Sequence, residues 1–167
     1  MGLEMAGFSH AALVEYESDY CEILKRNRPN WNVICEDVKN FSGIQYAGKI
    51  DLFAGGVPCP PFSVAGKQLG EEDERDLFPE ALRLIEEIKP RAVMLENVRG
   101  FLDPQFSDYR RHILDCIDSL GYNVQIKLLY ASDYGVPQLR PRVVIVGIRK
   151  EIKARFRITE RGSSAIQ

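Results

Sequence analysis

Ile50-Asp51-Leu52-Phe53-Ala54-Gly55-Gly56-Val57-Pro58-Cys59-Pro60-Pro61-Phe62-Ser63 is the stretch on which the reading of this chain turns. An apolar, strand-like run over 50–54 leads through two glycines to a cysteine flanked by prolines. Proline fixes its own φ and restricts the residue before it. A cysteine clamped in this way at the end of a strand is rigid, shallow and directed outward, as a nucleophile must be. An isolated cysteine in a turn is more often buried and inert. The flanking sequence has to decide between the two.

Outward from this stretch, strand and helix alternate. A strand is predicted over 10–15. A helix follows to residue 28, with Ser18 or Asp19 as its N-cap and Pro29 as its stop. Further strands are expected over 32–35 and 49–54, the second breaking at Gly55-Gly56. Residues 57–75 form a long loop rich in Gly, Pro and charge, a kind that is usually functional or disordered. Asp76 can cap the next helix. Pro79 lies in its first turn, Phe78, Leu82, Ile85 and Ile88 recur at helical spacing, and Pro90 stops it. A strand over 91–95 runs into Glu96-Asn97-Val98. A helix over 105–120 ends at Gly121. Strands over 122–130 and 142–148 are expected to pair, with a polar loop between them. The alternation predicts an α/β fold, a mostly parallel sheet with crossover helices. Ligands of such sheets bind beyond the carboxyl ends of the strands. Glu15, Asp37, Cys59 and Glu96 all fall at or just past predicted strand ends.

At 167 residues the chain favours one domain with one core. The net charge of −2 gives no global basic field that would advertise nucleic acid. Charge is uneven, however. From Arg140 onward there are eight Lys/Arg against two acids, a segment that faces phosphates or is simply a solvated end. The four cysteines (Cys21, Cys35, Cys59, Cys116) form no Cys-x-x-Cys pair, and His10 and His112 are the only histidines. No metal site is expected. No signal peptide and no run of bilayer length is visible, so a cytoplasmic location is expected. Cys21, Cys35 and Cys116 then read as packing residues.

Several polar residues carry candidate chemistry. Glu96 follows an apolar run, and burial would raise its carboxyl pKa toward neutrality; a solvated glutamate at a strand end is the alternative. Asn97 can hold the neighbouring loop by side-chain to backbone bonds. Arg140 and Arg142 stand two apart in presumed extended chain and so would point the same way, toward an anion or a base carbonyl, or into a surface ion pair. Glu15 and Asp37 end successive strands, where an acid can accept hydrogen bonds from ribose hydroxyls. Tyr16 can lie against an adenine ring. Two ordinary exposed acids are the alternative.

On these residues the chain resembles the DNA cytosine-5 methyltransferases. The family's Pro-Cys-x-x-x-Ser loop matches Pro58-Cys59 and Ser63. Its Glu-Asn-Val matches Glu96-Asn97-Val98, and its Gln-x-Arg-x-Arg matches Gln138, Arg140 and Arg142. Gly66-Lys67-Gln68 and Asp133-Tyr134-Gly135-Val136-Pro137 also look like family sequence. The resemblance runs from Gly2 to about Arg149 and implies a Rossmann-like class I methyltransferase fold. It implies that Cys59 adds as a thiolate to carbon 6 of cytosine, so that carbon 5 attacks an electrophilic methyl group. Glu96 would hold or protonate the ring nitrogen at position 3, and Arg142, with Arg140, would steady the base carbonyl and the loop. The methyl donor would be S-adenosylmethionine, with Glu15 on its ribose, Tyr16, Asp37 and Val38 on its adenine, and Pro58 also on the cofactor side. The partner would be double-stranded DNA with the target cytosine flipped out, under the loop 57–75 as a lid. A bacterial restriction–modification setting comes from the family alone.

The chain departs from the family pattern at both ends. The Phe-x-Gly-x-Gly-Gly turn and the first central strand have no match before Met1-Gly2-Leu3, and no target-recognition domain follows. Residues 1–149 then read as a partial catalytic domain and 150–167 as a basic, poorly ordered tail. A sheet without its central strand leaves unpaired edges on both neighbours. A late start, a decayed gene or a split enzyme completed by a second subunit would each give this pattern. A non-catalytic fragment acting as a binding or assembly partner is the competing reading. A nucleotide-binding oxidoreductase lacks its Gly-x-Gly-x-x-Gly turn here. The chain alone is expected to bind S-adenosylmethionine weakly and to show little or no activity. Calorimetry with that cofactor tests this, and micromolar binding would overturn it.

Overall fold

Buried positions alternate along Ala92–Val98, where Val93, Leu95 and Asn97 are covered on one face. A strand with this pattern needs neighbours on both edges, and the fold supplies them. The computed structural model describes residues 2–58, 76–153 and 156–158. These fall into two compact units, Met1–Gln45 and Tyr46–Gln167.

The first unit contains α1 (Gly2–Met5), β1 (Leu13–Glu15), α2 (Ser18–Asn27) and β2 (Val33–Cys35). The strands β1 and β2 pair in parallel, Leu13 with Val33 and Glu15 with Cys35, and α2 is the crossover between them. Ser18 and Asp19 lie inside the first turn of α2 and do not cap it. Glu17 precedes the turn in extended backbone without a side-chain cap. Its amide instead donates to Glu15 Oε1 at 3.0 Å. Cys21, Val33 and Phe41 are the buried apolar residues of this unit. Trp31 stacks on His10 at 3.8 Å, and the Arg28 guanidinium lies over the same indole.

The second unit contains β3 (Leu52–Gly56), α3 (Phe78–Ile88), β4 (Ala92–Val98), α4 (Ser107–Ser119), β5 (Tyr122–Tyr130) and β6 (Pro141–Arg149). The sheet order is β3-β4-β6-β5. The pair β3–β4 is parallel, joined through α3. The strand β6 runs antiparallel to both its neighbours, so the sheet is mixed. The α/β class holds, and the antiparallel part comes from β6 alone, which pairs with β5 as expected. Among the described residues, β1 and β3 each have a single ladder partner.

The large core belongs to this second unit. Phe78, Ala81 and Ile85 of α3 and Ile113 and Ile117 of α4 pack with Val93, Leu95, Val143 and Ile145 of the sheet and with Phe101 and Tyr122. Phe78 and Phe101 are fully buried with ring centroids 5.2 Å apart. Asp76 is expected to cap α3, but the cap position is Leu77, which makes no side-chain cap bond; Asp76 stands one residue earlier, and its Oδ1 accepts the Phe78 amide at 3.0 Å. Its other carboxylate oxygen accepts the Tyr109 hydroxyl from α4, a tie that no sequence pattern announces. Lys89 ends α3 in left-handed backbone, φ 51°, just before Pro90.

The strand β3 departs from expectation. It does not break at Gly55-Gly56 but runs through both, because Gly55 pairs with Leu95 and Gly56 with Glu96. Past β6, Lys150 binds Asp118 at 2.9 Å. Residues 156–158 lie along β5, where Lys127 Nζ donates to the Ile158 carbonyl and the Ile158 amide donates to Gln125 Oε1.

The buried Tyr122 hydroxyl donates to the Pro90 carbonyl at 2.7 Å and ties β5 to the start of β4. Tyr122→Phe leaves that carbonyl without its donor and is expected to cost about 1–3 kcal/mol. Urea unfolding should show a lower midpoint with an unchanged slope.

Candidate active site

The hydrogen-bond ladder between β3 and β4 does not stop where β3 ends. The Val57 amide donates to the Glu96 carbonyl at 3.1 Å. The Val57 carbonyl accepts the Asn97 side-chain amide, Nδ2, at 2.9 Å. Asn97 is buried, and its Oδ1 accepts the Val98 amide at 2.7 Å, which fixes which way the side-chain amide faces. Both backbone groups of Val57 are therefore held by consecutive residues of β4. The chain leaves the sheet at Pro58, which is exposed, from a point that cannot drift. The sequence expectation that Asn97 holds the loop by a side-chain to backbone bond is met. Cys59 follows Pro58 directly but lies outside the described residues, as do Ser63 and Gly66-Lys67-Gln68.

Beside this exit point, Arg142 Nε binds Glu96 Oε1 at 2.5 Å. The register explains the meeting. Arg142 stands opposite Val98, and Glu96 lies two residues along the same face, within diagonal reach of a long side chain. The ion pair is part-exposed, Glu96 at 42% and Arg142 at 30% of the side chain. Glu96 is thus part-buried, between the partly desolvated and the solvated acid weighed above, and its carboxylate is held by a guanidinium from the neighbouring strand. Such a pair adds little to stability; it fixes where the carboxylate points. Gly56 makes room for it, since a Cβ there would lie 3.3 Å from Glu96 Oε2. That role of Gly56 was not read from the sequence, where the double glycine is only a strand breaker.

Arg140 does not share the geometry of Arg142. Its φ is 33°, so the extended backbone assumed for residues 140–142 fails there and the alternation argument with it. It sits exposed at the end of a loop closed by the Ala131 amide on the Leu139 carbonyl.

The residues assigned to the cofactor, other than Pro58, lie in the first unit. Glu15 ends β1, and its Oε1 is held by the Glu17 amide. Its backbone carbonyl accepts both the Glu36 amide and the Cys21 thiol. Tyr16 beside it is 69% exposed. A hydrogen bond with Glu17 and that residue's charge raise the Tyr16 phenol pKa. Asp37 lies just past β2, where its carboxylate accepts the Lys39 amide at 2.9 Å and closes an Asx turn. Val38 is half-buried. Glu15, Tyr16, Asp37 and Val38 thus gather past the carboxyl ends of two adjacent parallel strands. No group of ligating side chains suited to a metal occurs among the described residues. No helix among them is long and apolar enough to cross a membrane.

Residues 1–166 match the family of C-5 cytosine-specific DNA methylases. The chain belongs to that family. It is 61% identical over 163 residues to the Type II methyltransferase M.NgoMIV of Neisseria gonorrhoeae, covering 98% of this chain and 52% of that protein. It is 48% identical to the Type II methyltransferase M.NaeI of Lentzea aerocolonigenes, covering 93% of this chain and 38% of the relative. The chain therefore spans about half or less of the length of these relatives. Among solved structures, Spodoptera frugiperda DNMT2 aligns with a TM-score of 0.75 at 24% identity, over 94% of this chain and 48% of that one. That likeness supports the Rossmann-like class I methyltransferase fold. In this family member the Glu-Asn-Val motif is a structural clamp as well as a candidate catalytic element: its asparagine and its first carbonyl hold the start of the Pro-Cys loop.

Two substitutions separate these roles. Asn97→Ala removes a buried hydrogen bond to Val57 and is expected to cost about 1–3 kcal/mol by chemical denaturation. Gly56→Ala is expected to leave the fold intact while displacing the Glu96 carboxylate. A crystal structure of that variant that still shows the Glu96–Arg142 contact would contradict this.

Proposed function

We propose that this chain carries the catalytic core for transfer of a methyl group from S-adenosylmethionine to carbon 5 of a flipped-out cytosine in double-stranded DNA. The observation that carries the reading is the arrangement at the end of β3. The chain leaves the sheet at Pro58, the residue before Cys59 in the sequence, from Val57, which Glu96 and Asn97 clamp, and the Glu96 carboxylate is aimed by Arg142.

The residues past β1 and β2 fit the cofactor by their chemistry. Glu15 offers an oriented carboxylate to ribose hydroxyls, and Tyr16 offers an exposed ring to adenine, with Asp37 and Val38 nearby. S-adenosylmethionine supplies the electrophilic methyl group when bound. The chain's own groups do the rest. Cys59 adds its thiolate to carbon 6 of the pyrimidine, which makes carbon 5 nucleophilic, and it leaves again by elimination when the proton on carbon 5 is removed. Glu96 holds the ring nitrogen at position 3 by a hydrogen bond or a proton and takes up the charge that develops there. Arg142 keeps the Glu96 carboxylate in one orientation and supports the base carbonyl. Arg140, exposed on its loop, would serve the nucleic acid.

A second reading, a non-catalytic assembly partner, draws on one observation: β1 and β3 each have only one ladder partner among the described residues. A complementing subunit would pair there. DNA containing 5-fluorocytosine separates the two, because methylation at a fluorinated carbon 5 cannot proceed to elimination and traps the cysteine adduct. The chain is incubated with this DNA and S-adenosylmethionine, alone and with candidate partner chains. An adduct mapping to Cys59 supports catalysis, and its absence in every mixture favours the assembly role. In the adduct-forming mixture, Cys59→Ala should abolish methyl transfer. Glu96→Gln should slow it by about 10²–10⁴-fold, the span of a lost acid–base group.

A further inference from the structure

Cys21 and Cys35 are far apart in sequence and read there as separate packing residues. The fold of the first unit brings them together around one backbone group. Cys35 is the register partner of Glu15 across the β1–β2 ladder. Cys21, one turn into α2, donates its thiol to the Glu15 carbonyl at 3.2 Å. That carbonyl points across the ladder to the Glu36 amide, so the Cys21 sulfur on it lies over the end of β2 that carries Cys35. Both are free thiols. They differ in access: Cys21 is 1% exposed, whereas Cys35 is exposed at the strand end. Burial, then the neighbouring Cys35 thiol, push the Cys21 pKa up to about 11. Cys21 therefore keeps its proton at neutral pH, and Cys35 is the sulfur that meets reagents from solvent.

We propose that Cys21 and Cys35 form an oxidisable dithiol, a modification site that closes to a disulfide and staples α2 to β2 beside Glu15. With a peroxide as oxidant the chemistry balances in two steps. The Cys35 thiolate attacks one peroxide oxygen, the O–O bond breaks, hydroxide leaves, and Cys35 becomes a sulfenic acid. The Cys21 sulfur then attacks the Cys35 sulfur. The S–O bond breaks, the Cys21 proton goes out with the oxygen as water, and the S–S bond forms. A small-molecule disulfide does the same by exchange, through a mixed disulfide on Cys35 that Cys21 displaces. Once closed, Cys21 no longer has a proton to donate, and the Glu15 carbonyl keeps only the Glu36 amide. Any consequence for S-adenosylmethionine binding rests on the role proposed above for Glu15; formation of the bond does not. Cys116 provides an internal control. It sits on α4 in the second unit, with its sulfur 3.6 Å from His112 Nε2.

The test uses the 167-residue chain and no methylation assay, so its failure is distinct from failure of the catalytic reading. The reduced protein is exposed to hydrogen peroxide or oxidised glutathione. It is then unfolded in an alkylating reagent, digested and mapped by mass spectrometry. The expected product is a Cys21–Cys35 linked peptide that dithiothreitol reverts, with Cys116 still alkylated. Cys35→Ser, a change at an exposed position, should leave Cys21 fully alkylated after the same treatment. The proposal is overturned if Cys35 instead accumulates as sulfinic acid or a stable glutathione adduct with Cys21 free. It is equally overturned if Cys35 links to Cys59 or Cys116.

Discussion

Val57 is held at both of its backbone groups by β4, and the geometry of the candidate site depends on that hold. A parallel ladder ordinarily ends where its strands end. Here Asn97 extends it with a side-chain amide, so the residue before Pro58 is as fixed as any inside the sheet. Because Asn97 is buried, leaving its amide or the Val57 carbonyl unpaired would carry the full desolvation cost. The clamp is therefore hard to open without disturbing the core. The same register puts Gly56 against Glu96, and β6 on the other side of β4 puts Arg142 within reach of that carboxylate.

The Glu96–Arg142 pair illustrates why sequence context alone misjudges an acid. An apolar run before Glu96 argues for burial, and its strand neighbours Leu95 and Asn97 are indeed buried. Alternation along the strand turns Glu96 to the other face, where the sheet is only partly covered. Its environment is then set by a guanidinium from a strand that arrives much later in the chain. In a part-exposed setting such a contact contributes orientation rather than stability, which is what the role proposed for Glu96 requires.

The motifs, the strand–helix alternation and the end of α4 at Gly121 were all readable, because each is a local signal of spacing or turn chemistry. The strand through Gly55-Gly56 was not. Glycine breaks a strand by propensity, but pairing with Leu95 and Glu96 outweighs that preference. The backbone at Arg140 and the Tyr109–Asp76 tie were likewise hidden, since each depends on how distant segments close on one another. Cys21 and Cys35 make the same point: nothing in their spacing predicts that a crossover helix and a strand ladder bring both to Glu15.

By itself, then, the sequence determined the fold class, the family and the identity of the chemical groups, because residue type, period and motif spacing are properties of the chain. The tertiary structure decided which of those groups meet. Glu96 finds Arg142 and not Arg140, Asn97 finds Val57, and Cys21 finds the Glu15 carbonyl. Strand register and helix crossover fix those encounters, and both are set by burying apolar faces of segments far apart in the chain.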